Sequence, residues 1–166
     1  MEKVTWQIGA VTDTRAADKI TDPLGGLRWV GSKLYRLMKN NGSNAVAVGD
    51  VVLGKHTDEG DIDSYFYDDA ESNLDISLMQ GVCVSAIAAG DVGWIQVLGY
   101  NSQIKFALGA TTDIDKGDSM IPVADKNYVV FGAAHGAAPL SRRTIIAGED
   151  YSSDAIAAKK GYIHCL

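Results

Sequence analysis

The residues best placed by type and spacing to do chemistry are His56 and the carboxylates after it, Asp58, Glu59, Asp61 and Asp63. An imidazole with several carboxylates on one loop could hold a cation, because hard cations need oxygens converging from a compact segment. The run lacks the D-x-[DN]-x-[DN]-G order of a calcium hand, so its first reading is a solvated acidic loop. His135 sits in a Gly/Ala-rich loop and His164 in a terminal strand, neither beside a Ser or Cys in a nucleophile-elbow setting. There is no G-x-x-x-x-G-K-[ST], no G-x-G-x-x-G and no C-x-x-C. The expectation is a chain that is not an enzyme, with no catalytic residues, no metal and no cofactor.

Composition narrows the partners. The net charge is −6, and the only basic doublets are Arg142-Arg143 and Lys159-Lys160. Nucleic-acid binding needs a clustered positive field, so no nucleic-acid partner is expected. Two cysteines make no disulfide framework, and Cys83 reads as a small buried apolar residue. No apolar run approaches the ~18 residues of a membrane span, and the N-terminus carries no charged-then-apolar leader. A soluble chain without a membrane partner or an export signal is expected.

The elements that must carry these residues are strands. Gly is 18 of 166 residues against 3 Pro, so glycine makes the turns. Gly90-Asp91 is a tight turn feeding Val92–Leu98, whose two faces are both largely apolar, and this strand is expected at the centre of the fold. The same punctuation recurs at Gly49-Asp50 and Gly117-Asp118. Ile76–Ala88 is expected to pair antiparallel with Val92–Leu98, with Gly81 a bulge. Gln103–Leu108 reads as a separate short strand. Asn40-Asn41-Gly42-Ser43 reads as a hairpin turn into Ala45–Val48. Asp154–Lys160 reads as a two-turn helix with Ser153 as its N-cap, followed by a last strand over Tyr162–Leu166.

The expected fold is therefore all-β: a single compact barrel or sandwich of about 8–10 short strands with at most one short helix. Residues 31–166 form the β-rich body, and residues 1–30 an N-terminal extended arm with a lead-in strand. The acidic segment 54–75 is a long loop whose aromatic centre, Ser64-Tyr65-Phe66-Tyr67, pins it to the body. Trp94 lies in the strand with two apolar faces and reads as core rather than as a sugar platform.

Several of these segments share a pattern. Tyr35-Arg36-Leu37 precedes Gly49-Asp50-Val51-Val52, then come Gly81-Val82, the run Ala89 to Gly99, and Lys160-Gly161-Tyr162-Ile163. This order resembles the head decoration (cement) proteins of tailed bacteriophages over roughly residues 33–166. The resemblance implies a non-enzymatic virion protein that binds the outside of the phage shell and stabilises it. Its partners would be the major capsid protein and itself, often as a homotrimer, placing it on the capsid exterior of the virion and in the host cytoplasm during assembly. Candidate capsid or subunit contacts are Trp6, Arg15 and Trp29 from the first segment and Tyr65 and Tyr67 from the acidic one. Two readings stand beside it. One is a phage tail or host-surface module holding a glycan on Tyr65 and Tyr67, and the other a metal-dependent hydrolase centred on His56.

The acidic segment gives the first prediction. Exposed carboxylates are screened by water and salt, so replacing Asp61 and Asp63 by Asn leaves the melting temperature unchanged with or without calcium. A calcium-dependent rise of several degrees in the wild type, lost in the double variant, would refute it.

Overall fold

The computed structural model describes residues 15–16, 23–54, 65–66, 79–108, 113–123, 126–131, 144–153 and 155–165. These form eleven strands, and there is no helix among the described residues. In chain order they are β1 (Arg15–Ala16), β2 (Leu27–Val30), β3 (Lys33–Asn40), β4 (Val51–Leu53), β5 (Tyr65–Phe66) and β6 (Met79–Cys83). Then follow β7 (Asp91–Phe106), β8 (Ser119–Pro122), β9 (Val129–Phe131), β10 (Thr144–Ala147) and β11 (Ala157–His164).

β7 runs for 16 residues and belongs to two structures at once. Its C-terminal half pairs antiparallel with β11, which continues through β10, β8 and β9 and returns to β7 at Phe106↔Val129. That ring is a closed five-stranded barrel, with the other strands outside it. Val97, Ile104, Phe106, Met120, Val129, Ile145 and Ile163 fill it. The N-terminal half of β7 pairs with β3 along one edge and with β6 and β1 along the other. There Ile95 packs with Met38, Val52, Phe66, Cys83 and Ile87, while Val92 and Trp94 pack with Tyr35 and Leu37 on the opposite face. Residues 92–97 are thus buried from both sides, as their largely apolar faces imply, and Trp94 is core.

The three Gly-Asp pairs close the same turn. Asp50, Asp91 and Asp118 each donate their amide to the carbonyl three residues back, on Ala47, Ala88 and Asp115. The glycine before each Asp has φ of 86, 81 and 101°, the left-handed region a type II turn needs at its third position. The residue just ahead of each turn forms an isolated bridge, Val46↔Ile87 and Ile114↔Tyr151. One turn design is therefore used three times to link strands that lie far apart in sequence.

Four expectations are corrected. Val92–Leu98 and Gln103–Leu108 are one strand, not two. The alternation breaks between them because Ser102 and Gln103 together oppose Lys160, a bulge that turns both outward and returns Ile104 and Phe106 to the interior. Residues 155–160 are not helical: Ala157–Lys160 lie in β11, whose residues Ala157, Ala158 and Lys159 pair with Phe106, Lys105 and Ile104 of β7, and tertiary pairing overrides alanine's helix preference. Asn40-Asn41-Gly42-Ser43 does not close a hairpin. The Asn40 amide donates to the carbonyls of Asn44 and Ile87, its Oδ1 accepts from Gly42 N, and Val46 leaves to pair with Ile87. Finally, β6 meets β7 only at Val82↔Gln96 and Cys83↔Ile95 before joining β4, where the register slips beside Gly81. The strand expected over Met1–Ala10 lies outside the described residues; Leu27–Val30, where the first segment enters the body, form β2, which pairs with β3.

A small polar network holds β7 where it changes partners. The buried Gln96 amide donates to the carbonyls of Leu98 and Tyr100, its Oε1 accepts from Asn101 Nδ2, and Asn101 Oδ1 accepts from Gln103 N. Replacing Gln96 by Leu leaves two carbonyls and one amide short of a partner in the interior. The expected cost is about 3 kcal/mol, read as a lower urea midpoint at unchanged m-value.

Candidate interaction surface

The side chains that could recognise a partner are the large apolar ones left in water: Leu27, Trp29, Val30, Val48, Tyr100, Ile156 and Tyr162 among the described residues. Three of these form most of β2. This strand folds back on β3 through the two-residue loop Gly31-Ser32, with pairs Val30↔Lys33, Arg28↔Tyr35 and Leu27↔Arg36. Leu37 donates its amide to Gly26 O, so the even-numbered residues 26, 28 and 30 direct their main chain at β3. The N–H and C=O groups of Leu27 and Trp29 then point away from the sheet. Among the described residues β2 has β3 as its only strand partner.

The side chains alternate across the same strand. Arg28 lies on the face of Trp94, its guanidinium 5.5 Å from the ring centroid. Leu27 and Trp29 take the other face, 55% and 60% exposed. An edge strand that offers both main-chain donors and bare apolar side chains can accept another strand.

A second exposed pair sits on the outside of the barrel. Tyr100 of β7 and Tyr162 of β11 are register partners, with ring centroids 5.5 Å apart and planes at 59°. Glu149 helps set this placement. Its Oε1 accepts the amide of Lys160, the residue opposite the β7 bulge, at 3.0 Å, and its Oε2 lies 3.4 Å from Lys160 Nζ. The Lys160 amide holds the Glu149 carboxyl below its usual value, with the nearby lysine charges adding to the effect.

The buried ionisable groups serve the fold. The Asp50 carboxylate accepts the amide of Ala47 through Oδ2 and pairs through Oδ1 with Lys105 on β7. Cys83 lies beside this pair, and its thiol is pushed well above the ordinary value, by burial first and by the Asp50 charge second. A thiol so held stays protonated and is a poor nucleophile.

Of the residues singled out from sequence, Trp29 is on the exposed edge. Arg15 lies in β1, paired with Val92, and Tyr65 in β5, paired with Lys39. Trp6, Tyr67, His56 and the Asp58–Asp63 run lie outside the described residues. Among the described residues no group of three or more His, Cys, Asp or Glu could hold a metal ion. Tyr100 and Tyr162 were not singled out. Alternation in 161–165, with Ile163 and Cys165 buried and Tyr162 and His164 exposed, is the signal that marks Tyr162.

No protein-family model matches this chain, and no curated protein sequence is significantly similar to it.

The Glu149 contact yields a pH prediction. A carboxyl whose folded pKa lies below its unfolded one stabilises the fold fully above the ordinary value near 4.5 and loses that contribution as pH falls through the folded value. Glu149→Gln should therefore melt below wild type at pH 7, and the gap should narrow as the pH falls below 4.5.

Proposed function

We propose that this protein is a non-enzymatic structural protein that adds to the outer surface of a phage capsid and stabilises it. One observation carries the reading: strand β2 puts Leu27, Trp29 and Val30 in water on the outermost strand of an otherwise well-packed β body. Apolar anchors on a rigid edge suit adhesion to another protein, where a few aromatic side chains carry most of the binding energy. The Tyr100–Tyr162 pair extends the adhesive area onto the barrel. The order of turn and strand motifs, similar to that of head decoration proteins, supplies the class of partner. Assembly as a trimer fits the same reading, because three weak contacts on one particle bind at high effective concentration.

The test is cosedimentation with expanded capsids assembled without the protein, followed by heating. Full-length protein should saturate the shell and raise its rupture temperature. Trp29→Ser should weaken binding by at least about tenfold while leaving the melting temperature of the free protein unchanged, since Trp29 is exposed. Removal of residues 1–14, which spares the β1 pairing, should also weaken binding. Failure of the full-length chain to bind any capsid would end this reading, and capture on a glycan array would replace it with the host-surface module.

A further inference from the structure

Asp50 does more than its turn requires. In the matching turn Asp118 Oδ2 accepts the amide three residues back, on Asp115, and Asp50 Oδ2 does the same with Ala47, both at 2.8 Å. That contact uses one carboxylate oxygen. The other, Asp50 Oδ1, is buried and meets Lys105 Nζ. The main chain sets the approach: Lys105 N donates to Gly49 O at 3.0 Å, so the two side chains start from neighbouring backbone. Yet Oδ1 has no hydrogen-bond partner, so the nitrogen touches the carboxyl group out of line with a hydrogen bond.

We infer that Lys105 and Asp50 condense into an intramolecular amide, a covalent bridge between the Gly49-Asp50 turn and β7. The step balances without a co-reactant. One proton passes from the ammonium to Oδ1, giving the neutral amine and acid that a buried site favours over two charges. Nζ then adds to Cγ, and the charge developing on Oδ2 is met by the Ala47 amide already bonded to it. A second proton moves from nitrogen to Oδ1, the Cγ–Oδ1 bond breaks and water leaves, while the third proton stays on the new amide. The Lys105 side chain is 29% exposed against 4% for Asp50, so the water has a way out. Groups held in contact react at effective concentrations on the order of 10⁵ M or more, which favours condensation over hydrolysis where water is scarce. Cys83, beside the pair, keeps its proton and does not compete for the carboxyl carbon. The bridge removes two charges from the interior and closes the chain from Asp50 to Lys105 into a loop, restricting the unfolded state as a disulfide does. The inference is independent of the capsid-binding reading, and its test needs no capsid.

The experiment is the intact mass of the full chain under denaturing conditions, beside that of Lys105→Arg. Arginine keeps the positive charge but offers no lysine amine to acylate. The wild type should be lighter than its sequence by one water, and Lys105→Arg should have its full sequence mass. Trypsin should fail to cut after Lys105 in the wild type and should release a branched peptide joining the Asp50 and Lys105 segments. On a denaturing gel the wild type should run ahead of Lys105→Arg, because a closed loop stays more compact. These wild-type readings stand even if a variant fails to fold. A wild-type chain of full mass after prolonged incubation, cut normally after Lys105, would overturn the amide and leave an ion pair in its place. Loss of water that persists in Lys105→Arg would overturn the assignment to these two residues.

Discussion

The fold depends on one strand keeping its hydrogen bonds while it changes neighbours. β7 leaves β3 and β6 and enters the barrel within a few residues, and it is irregular against both sets of partners. Val97 has no opposite number on β3, and Ser102 and Gln103 share one on β11. Irregular backbone in an interior would ordinarily leave polar groups without partners, at a cost comparable to a lost hydrogen bond each. Gln96 and Asn101 remove that cost by supplying side-chain amides where the ladder does not reach. Two polar residues at the bend let a single strand be common to a barrel and to the sheet outside it.

The Gly-Asp turns do the complementary work from the surface inward. The Gly49 amide donates to Cys83 O, and Cys83 N returns a bond to Asp50 O. Gly117, Asp118 and Ala147 repeat the arrangement on the barrel, and Gly90 donates to Asn40 O. At Gly49 a side chain would collide with the carbonyl of Gln103 at the β7 bulge, so this turn lies directly against the irregular part of the central strand. The Asp50–Lys105 pair ties the same two places together through charge. Removing either partner would leave the other charge poorly compensated beside Cys83, which explains why a carboxylate is tolerated there.

The interior is closely filled around β7, while five of the seven exposed large apolar residues among those described lie on β2, β7 and β11. Burial and exposure thus divide the protein into a packed body and an apolar margin.

Much of the architecture was legible in the amino-acid order. The recurring Gly-Asp pairs, the scarcity of proline and the two-faced apolar run around Trp94 specify turns and a doubly buried strand, because positive φ and continuous burial leave direct marks in local sequence. Trp29 stood out as an aromatic in a segment with few burial signals, but its exposure was decided by the pairing of β2 with β3. Other features were decided by the tertiary structure. Ala157–Lys160 has a helical composition and becomes a strand because it pairs with the far end of β7. The continuity of β7 is hidden because a bulge breaks the alternation that would announce it. Gln96 reads as one more alternating position until the bend brings its amide to Leu98, Tyr100 and Asn101. The exposure of the Tyr100–Tyr162 pair is hidden because it depends on which strand lies beside which. Local sequence determines what each segment can do by itself. Pairing between segments far apart in the chain determines which of those possibilities is realised, because only the assembled fold decides where each backbone group and side chain finds its partner.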